Sequence, residues 1–331
     1  MFLGILYLLR GLGDVAENIL SYISPLGLIM RTAPFAYDNL WPILVVLGLS
    51  IIAIFAAFYL NSTRDLGAGL VAAKPGRKEA SKFLQSPFTL ALRLLKFTLI
   101  GWGITILILG LSYGSIFGDI ENFLEGNEML QQMFLHNDAF TFEEQFLTVI
   151  VSMYAIIITV PVLIVLLKVY SEEKKGRLEH IYSKKISRSH VLTNYLIISL
   201  ASSIDFALLF TFGLWLAAFS VMAEPLSLIT VLISGLVYLP AVWFMIGLTL
   251  LLIGFAPKLI KLIWFYIGAS FVVVYLGDIL QFPDWIEKLA PFGHISTYPV
   301  ESINVIPLVV LTILSIVMGI VGFYGYNKRD I

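Results

Sequence analysis

The sequence predicts an all-α integral membrane protein, a polytopic helical bundle, on three observations. Only 13% of its 331 residues are charged and 59% are hydrophobic, whereas soluble domains carry about 25% charged residues. Seven apolar runs reach the roughly 20 residues that a helix needs to cross a bilayer core. Lys and Arg fall almost wholly on one side of those runs, as the positive-inside rule requires. The mean hydropathy is +0.93. The runs are continuous and lack the alternation of a membrane barrel, so strands are not expected. With no cysteine, disulfides, thiolate metal sites and a Cys nucleophile are excluded. A net charge of −1 gives no balance that points to nucleic acid.

The elements follow in chain order. Residues 1–9 are apolar but too short to cross, and MFLGILYLLRGLGDV lacks the features of a secretory signal. The expected spans are 41–60, 89–113, 146–169, 191–222, 226–255, 262–280 and 307–326. Placing 61–88, 170–190, 256–261 and the C-terminal Asn327-Lys328-Arg329-Asp330 in the cytoplasm puts eighteen of 21 basic residues inside or at an inner span edge. Only Arg10, Arg31 and Lys288 fall outside. The loop 114–145 has no Lys or Arg and carries Asp119, Glu121, Glu125, Glu128, Asp138, Glu143 and Glu144, as a translocated acidic loop would. These acids lack the order of a calcium-binding loop. The external stretch 281–306, broken by Pro283, Pro291 and Pro299, reads as a re-entrant or interfacial helix pair. Its aromatics, Phe282, Trp285, Phe292 and Tyr298, suit an interfacial belt. The expected location is the plasma membrane, multi-pass, with a cytoplasmic C-terminus.

The two ends of the chain resemble each other. GLGDVAENILSYISPLG (11–27) parallels YLGDILQFPDWIEKLAPFG (275–293), and AAFYLNSTRD (56–65) parallels VGFYGYNKRD (321–330). Gly13-Asp14 matches Gly277-Asp278, Pro25 matches Pro291 and Arg64-Asp65 matches Arg329-Asp330, all near one offset of 265. Duplicated bundles are a common transporter architecture. The expected organisation is therefore 1–65 as the tail of a truncated first six-span repeat and 66–331 as a complete six-span repeat. The alternative is that Met1 is the true start.

No phosphate-binding G-x-x-x-x-G-K-[ST] occurs, nor H-E-x-x-H or G-x-S-x-G. The four His (136, 180, 190, 294) lie in three loops without ligand spacing. No enzyme, bound cofactor or metal is expected. The charged stretch SEEKKGRLEHIYSKKISRSH (171–190) stands out between two spans. Leu178, Ile181 and Tyr182 form an apolar stripe at i, i+3, i+4, and Glu173–Arg177 and Lys175–Glu179 are i,i+4 pairs. A solvated face, a helix on lipid and a helix in a protein groove all fit these residues, with Ser187 or Ser189 as cap of the next span. Asp205, in SLASSIDFALLF, is the one acidic residue well inside a span, costly there unless paired or wetted. Either it lines a path and attracts a cationic substrate, or it bonds a neighbouring helix through partners such as Ser202 or Ser203.

Glu172-Glu173-x-x-Gly176-Arg177-x-Glu179, followed by Ser183-x-x-Ile186-Ser187-Arg188, resembles the first cytoplasmic loop of ABC-2-type transporter permeases. The likeness is greatest to the twelve-span subgroup described as exporters of polyketide-type antibiotics and other drugs. Lys185 stands where that phrase has Pro, and Ile181-Tyr182 replaces two leucines. Arg64-Asp65-Leu66-Gly67-Ala68-Gly69-Leu70, Pro75-Gly76-Arg77 and Ser86-Pro87-Phe88 resemble the connector opening the second half of those permeases. The resemblance implies an exporter subunit for hydrophobic or amphipathic compounds, with ATP bound by a separate ATPase, two copies per complex. It implies that 172–182 is a coupling helix, with Glu172, Glu173, Gly176, Arg177, Glu179 and Arg188 contacting the ATPase or bracing the loop. Arg64, Asp65 and Arg77 belong to the connector (61–88). A chain supplying the missing N-terminal spans is a further implied partner. The alternatives are a secondary transporter or channel, or an inactive fragment of a split permease gene.

Overall fold

A computed structural model of the chain describes residues 24–33, 37–63, 81, 84–119, 140–184, 186–222, 224–280 and 282–329. Asp14, Arg64, Asp65, Arg77, Lys185 and most of the acidic loop, 120–139, lie outside the described residues. The chain divides into two compact units, Met1–Glu79 and Ala80–Ile331.

The first unit contributes α1 (Pro25–Met30) and α2 (Trp41–Ser62). Each starts with a proline in its first turn, where the missing N–H has no intrahelical partner to lose.

The α-helices among the described residues of the second unit are α3 (Pro87–Ser115), α4 (Phe142–Lys174), α5 (Glu179–Tyr182), α6 (Arg188–Val221), α7 (Leu228–Leu236), α8 (Leu239–Phe255), α9 (Leu262–Leu280), α10 (Asp284–Glu287) and α11 (Val305–Lys328). Caps set the boundaries. The Ser86 hydroxyl accepts from the Thr89 amide and opens α3. Thr141 and Glu144 form a reciprocal capping box at α4. Ser187, one of the two expected caps, accepts from the His190 amide at α6.

Among the described residues, six helices are long and apolar enough to cross a membrane: α2, α3, α4, α6, the α7–α8 pair and α11. Two of the seven expected spans differ in detail. The run 226–255 is one span in two helices, because Pro240 lacks the N–H that a continuous ladder needs and so sits in the first turn of α8. The run 262–280 is α9, whose apolar part stretches only from Leu262 to Gly277 before Asp278 interrupts it.

Helix α4 is the axis of the second unit. It packs against α3, α6, α7, α8 and α9, and Val162, Leu163, Val165, Leu166 and Val169 are each fully buried. Two close helix pairs surround it, α3 with α6 and α8 with α11. Glycines make both approaches close, as expected where lipid supplies no hydrophobic drive and packing must do the work. A Cβ on Gly213 would come within 2.8 Å of the Leu107 carbonyl oxygen. One on Gly247 would come within 2.6 Å of the Ser315 carbonyl oxygen. Hydrogen bonds tie the rest: Ser199 donates to the Val162 carbonyl, and Trp243 donates its indole N–H to Ser203.

The 281–306 stretch contains α10 and a 3-10 turn, Pro291–His294. Phe292, expected in an interfacial belt, is buried in the core instead, while Trp285 is exposed. The Tyr266 hydroxyl of α9 donates to the Leu289 carbonyl and pins the segment to the bundle.

Candidate functional site: a clasp at the basic end of the bundle

The stretch 171–190 is not one helix. Helix α4 runs on to Lys174, and the next residues close it with a paired turn: the Gly176 amide donates to the Glu173 carbonyl (2.8 Å) and the Arg177 amide to the Glu172 carbonyl (3.1 Å). This geometry needs a left-handed residue after the helix, and Gly176 supplies it with φ +69°. The expected Glu173–Arg177 pair therefore does not form, since the intervening residues are no longer helical. Arg177 turns to Glu172, with Nη1 at 3.2 Å from Oε2, and Lys168 approaches the same carboxylate at 3.1 Å. The side chain of Glu172 is 4% exposed, so two cations compensate a buried charge that would otherwise be costly.

The expected apolar stripe also has a different use. Leu178 is buried, and Ile181 and Tyr182 pack on the core of this same chain. The stripe docks the loop onto its own bundle and is not offered to a partner. The face left exposed carries Lys174, Lys175, Arg177, Glu179, His180 and Lys184.

Glu173 points elsewhere and meets the C-terminus. Arg329, just past the end of α11, donates through Nη2 to Glu173 Oε1 and through Nη1 to the Ile253 carbonyl of α8 (2.6 Å). The Arg329 carbonyl in turn accepts from Arg188 Nη1 at the start of α6 (2.7 Å). Ser189 donates to Asn327 Oδ1 (2.8 Å), and the hydroxyls of Tyr182 and Tyr326 lie 3.1 Å apart. The guanidinium of Arg329 stands 5.3 Å from the Tyr326 ring centre, close enough for a cation–π contact. Burial pushes the Tyr182 hydroxyl above its ordinary pKa, so it stays protonated. One arginine thus joins the ends of α4, α6, α8 and α11.

Of the residues singled out in the sequence, Glu172, Glu173, Gly176, Arg177 and Arg188 converge on this loop and clasp, while Glu179 stays on the exposed face. Lys168, Tyr182, Tyr326, Arg329 and the Ile253 carbonyl complete it. The repeated FY-x-x-N/S-x-RD ending was the sequence signal that could have pointed to Arg329.

Asp205 lies outside the clasp. Ser202 and Ser203 bond instead to backbone carbonyls of α6, and Ser203 accepts from Trp243, so neither takes Asp205 as a partner. Asp205 is exposed on a face of α6 otherwise formed by Ile197, Ile204, Leu208 and Phe212.

Long apolar helices packed through glycines, with charged loops knotted at one end, define a multi-pass helical membrane protein. The chain belongs to the family described as "Multidrug efflux system permease Rv1217c, C-terminal domain", which matches residues 84–327. It is 29% identical over 331 residues to the multidrug efflux system permease protein Rv1217c of Mycobacterium tuberculosis (strain ATCC 25618 / H37Rv). That similarity covers 99% of this chain and 60% of that protein.

Proposed function

We propose that the chain is a transmembrane permease subunit of an ATP-driven multidrug exporter, with its charged loop as the lever for a separate ATPase. The family match supports the efflux role. The observation that carries the coupling role is the Glu173–Arg329 contact, because it ties the loop to helices beyond the two that flank it. An ATPase coupled to transport must bind two states of the permease with different free energy. A loop resting only on α4 and α6 would move those two helices. A loop held through Arg329 to α8 and α11 would carry the displacement across the bundle.

In this reading the residues divide into two roles. Lys174, Lys175, Glu179, His180 and Lys184 form the docking face. Glu172, Glu173, Arg177 and Arg188 brace the loop from within. The basic end is the cytoplasmic end, the C-terminus is cytoplasmic, and the membrane is the plasma membrane. The substrate is a hydrophobic or amphipathic compound, and a cationic one would be attracted by Asp205. The matching bounds of α2 (Trp41–Ser62) and α11 (Val305–Lys328), offset by nearly 265 residues, support a duplicated architecture of the twelve-span ABC-2 kind.

The test is charge reversal on the docking face, Glu179→Lys with Lys175→Glu, in membranes containing the co-expressed ATPase. The ATPase should cease to co-purify while the permease still inserts. Retention of the ATPase at wild-type level overturns the lever assignment.

A further inference from the structure

A groove of about 450 Å³ opens between the start of α3 and the 171–190 loop. It continues into a second cleft along α3 that shares Leu84, Leu90 and Leu94 and adds Arg93 and Lys96. We propose that this groove binds an anionic amphiphile, the headgroup and ester region of an acidic phospholipid.

The charges favour an anion. The single carboxylate in the lining, Glu172, is already held by Lys168 and Arg177. Lys184, Arg93 and Lys96 remain, and among the described residues no carboxylate pairs with any of them. Lys184 in the groove and Arg93 and Lys96 along the adjoining cleft thus offer an acidic headgroup cations that no described carboxylate holds, the chemistry by which basic pockets at the ends of membrane helices take such headgroups.

The floor asks for an acceptor. Asn194 lines the groove at 6% exposure, and its Nδ2 has no hydrogen-bond partner. Buried amide donors are nearly always satisfied, and an ester carbonyl below the phosphate is an acceptor of the right kind. The walls between floor and rim are apolar, formed by Leu90, Leu178, Ile181 and Val191. The cleft then leads out along Leu94 and Phe97, 43% and 78% exposed, which gives an acyl chain a path toward the bilayer.

Occupancy would bear on the loop directly. Arg177 lines the same groove, so a bound phosphate competes with Glu172 for its guanidinium and loosens the brace. The site itself stands independently of any ATPase.

The experiment uses the purified full chain in neutral detergent, titrated with short-chain phosphatidylglycerol or with phosphatidylcholine of the same chain length. Retention is read by native mass spectrometry, and folding by the thermal transition. Phosphatidylglycerol should be retained in preference. Arg93→Glu with Lys184→Glu should weaken it roughly tenfold, Asn194→Leu should weaken it without lowering the transition, and Lys258→Glu with Lys261→Glu, on the neighbouring loop, should leave it unchanged. Equal retention of both lipids overturns the proposal, as does an equal loss in the Lys258/Lys261 variant, which marks general surface attraction. Competition by inorganic phosphate alone identifies a free-anion site instead. Stronger binding of tetraphenylphosphonium to the Arg93/Lys184 reversal than to wild type, with no phosphatidylglycerol preference, identifies a substrate port.

Discussion

Arg329 and Glu173 are 156 residues apart in the chain, yet the guanidinium of one closes on the carboxylate of the other with both side chains largely buried. Among the described residues Arg329 is the one cation paired with Glu173, whose Oε2 is buried without a hydrogen-bond partner of its own. Removing one partner of a buried pair costs more than the pair contributes, because a lone charge remains. Arg329→Gln should therefore destabilise the protein by about 3 kcal/mol, measured by chemical unfolding in detergent. Glu173→Gln leaves a guanidinium that still donates to the Ile253 carbonyl and faces the Tyr326 ring, and should cost clearly less.

Gly176 tests the turn that ends α4. A Cβ there meets only Glu179 Oε1 at 3.8 Å, so space is not the obstacle. The positive φ is. Gly176→Ala should cost about 1 kcal/mol, and Gly176→Asn, which tolerates the left-handed region, should recover part of it.

The glycine contacts make a sharper contrast. Gly247→Ala places a methyl against the α11 backbone and should lower stability by about 1–3 kcal/mol. Gly101→Ala, on α3 with nothing within 4 Å, should be neutral or slightly stabilising. The two substitutions differ by environment alone, so equal effects would contradict the close α8–α11 approach.

Tyr182→Phe removes one hydroxyl from the Tyr182–Tyr326 contact and should cost about 1 kcal/mol. Because the Tyr182 pKa is raised in the folded protein, its contribution is complete below the ordinary phenol value of about 10. It is lost as pH rises through the higher folded value. The wild-type advantage over Tyr182→Phe should hold across neutral pH and vanish only in alkali.

Asp205 tests the pathway reading. With no serine partner on its own helix, Asp205→Asn should leave the thermal transition near wild type while narrowing the range of cationic compounds exported from whole cells. A large fall in stability with an unchanged substrate range would return Asp205 to a structural role.

The fold was legible because lipid imposes it: continuous apolar runs and one-sided Lys and Arg are conditions of insertion, and both are written along the chain. The breaks were less so. Pro240 divides a run whose hydropathy is uninterrupted, and α4 outlasts its apolar stretch until Gly176 allows the turn. Within the loop, Glu172, Arg177 and Arg188 could be picked out from local pattern, but their partners could not. The i,i+4 rule paired Glu173 with Arg177, and tertiary packing paired Glu173 with Arg329. Likewise the stripe of Leu178, Ile181 and Tyr182 fitted lipid or a protein groove equally, and it is their own core that takes them. Spacing gives a stripe but not what covers it.

The central claim is that the Glu173–Arg329 contact carries loop displacement to α8 and α11. The most direct measurement is drug transport per ATP hydrolysed in the reconstituted complex, for Glu173→Arg, Arg329→Glu and the double exchange, each normalised to folded permease. Both single reversals should uncouple hydrolysis from transport, and the exchange should restore much of the ratio. Single reversals that keep the wild-type ratio, or an exchange no better than either, would contradict it.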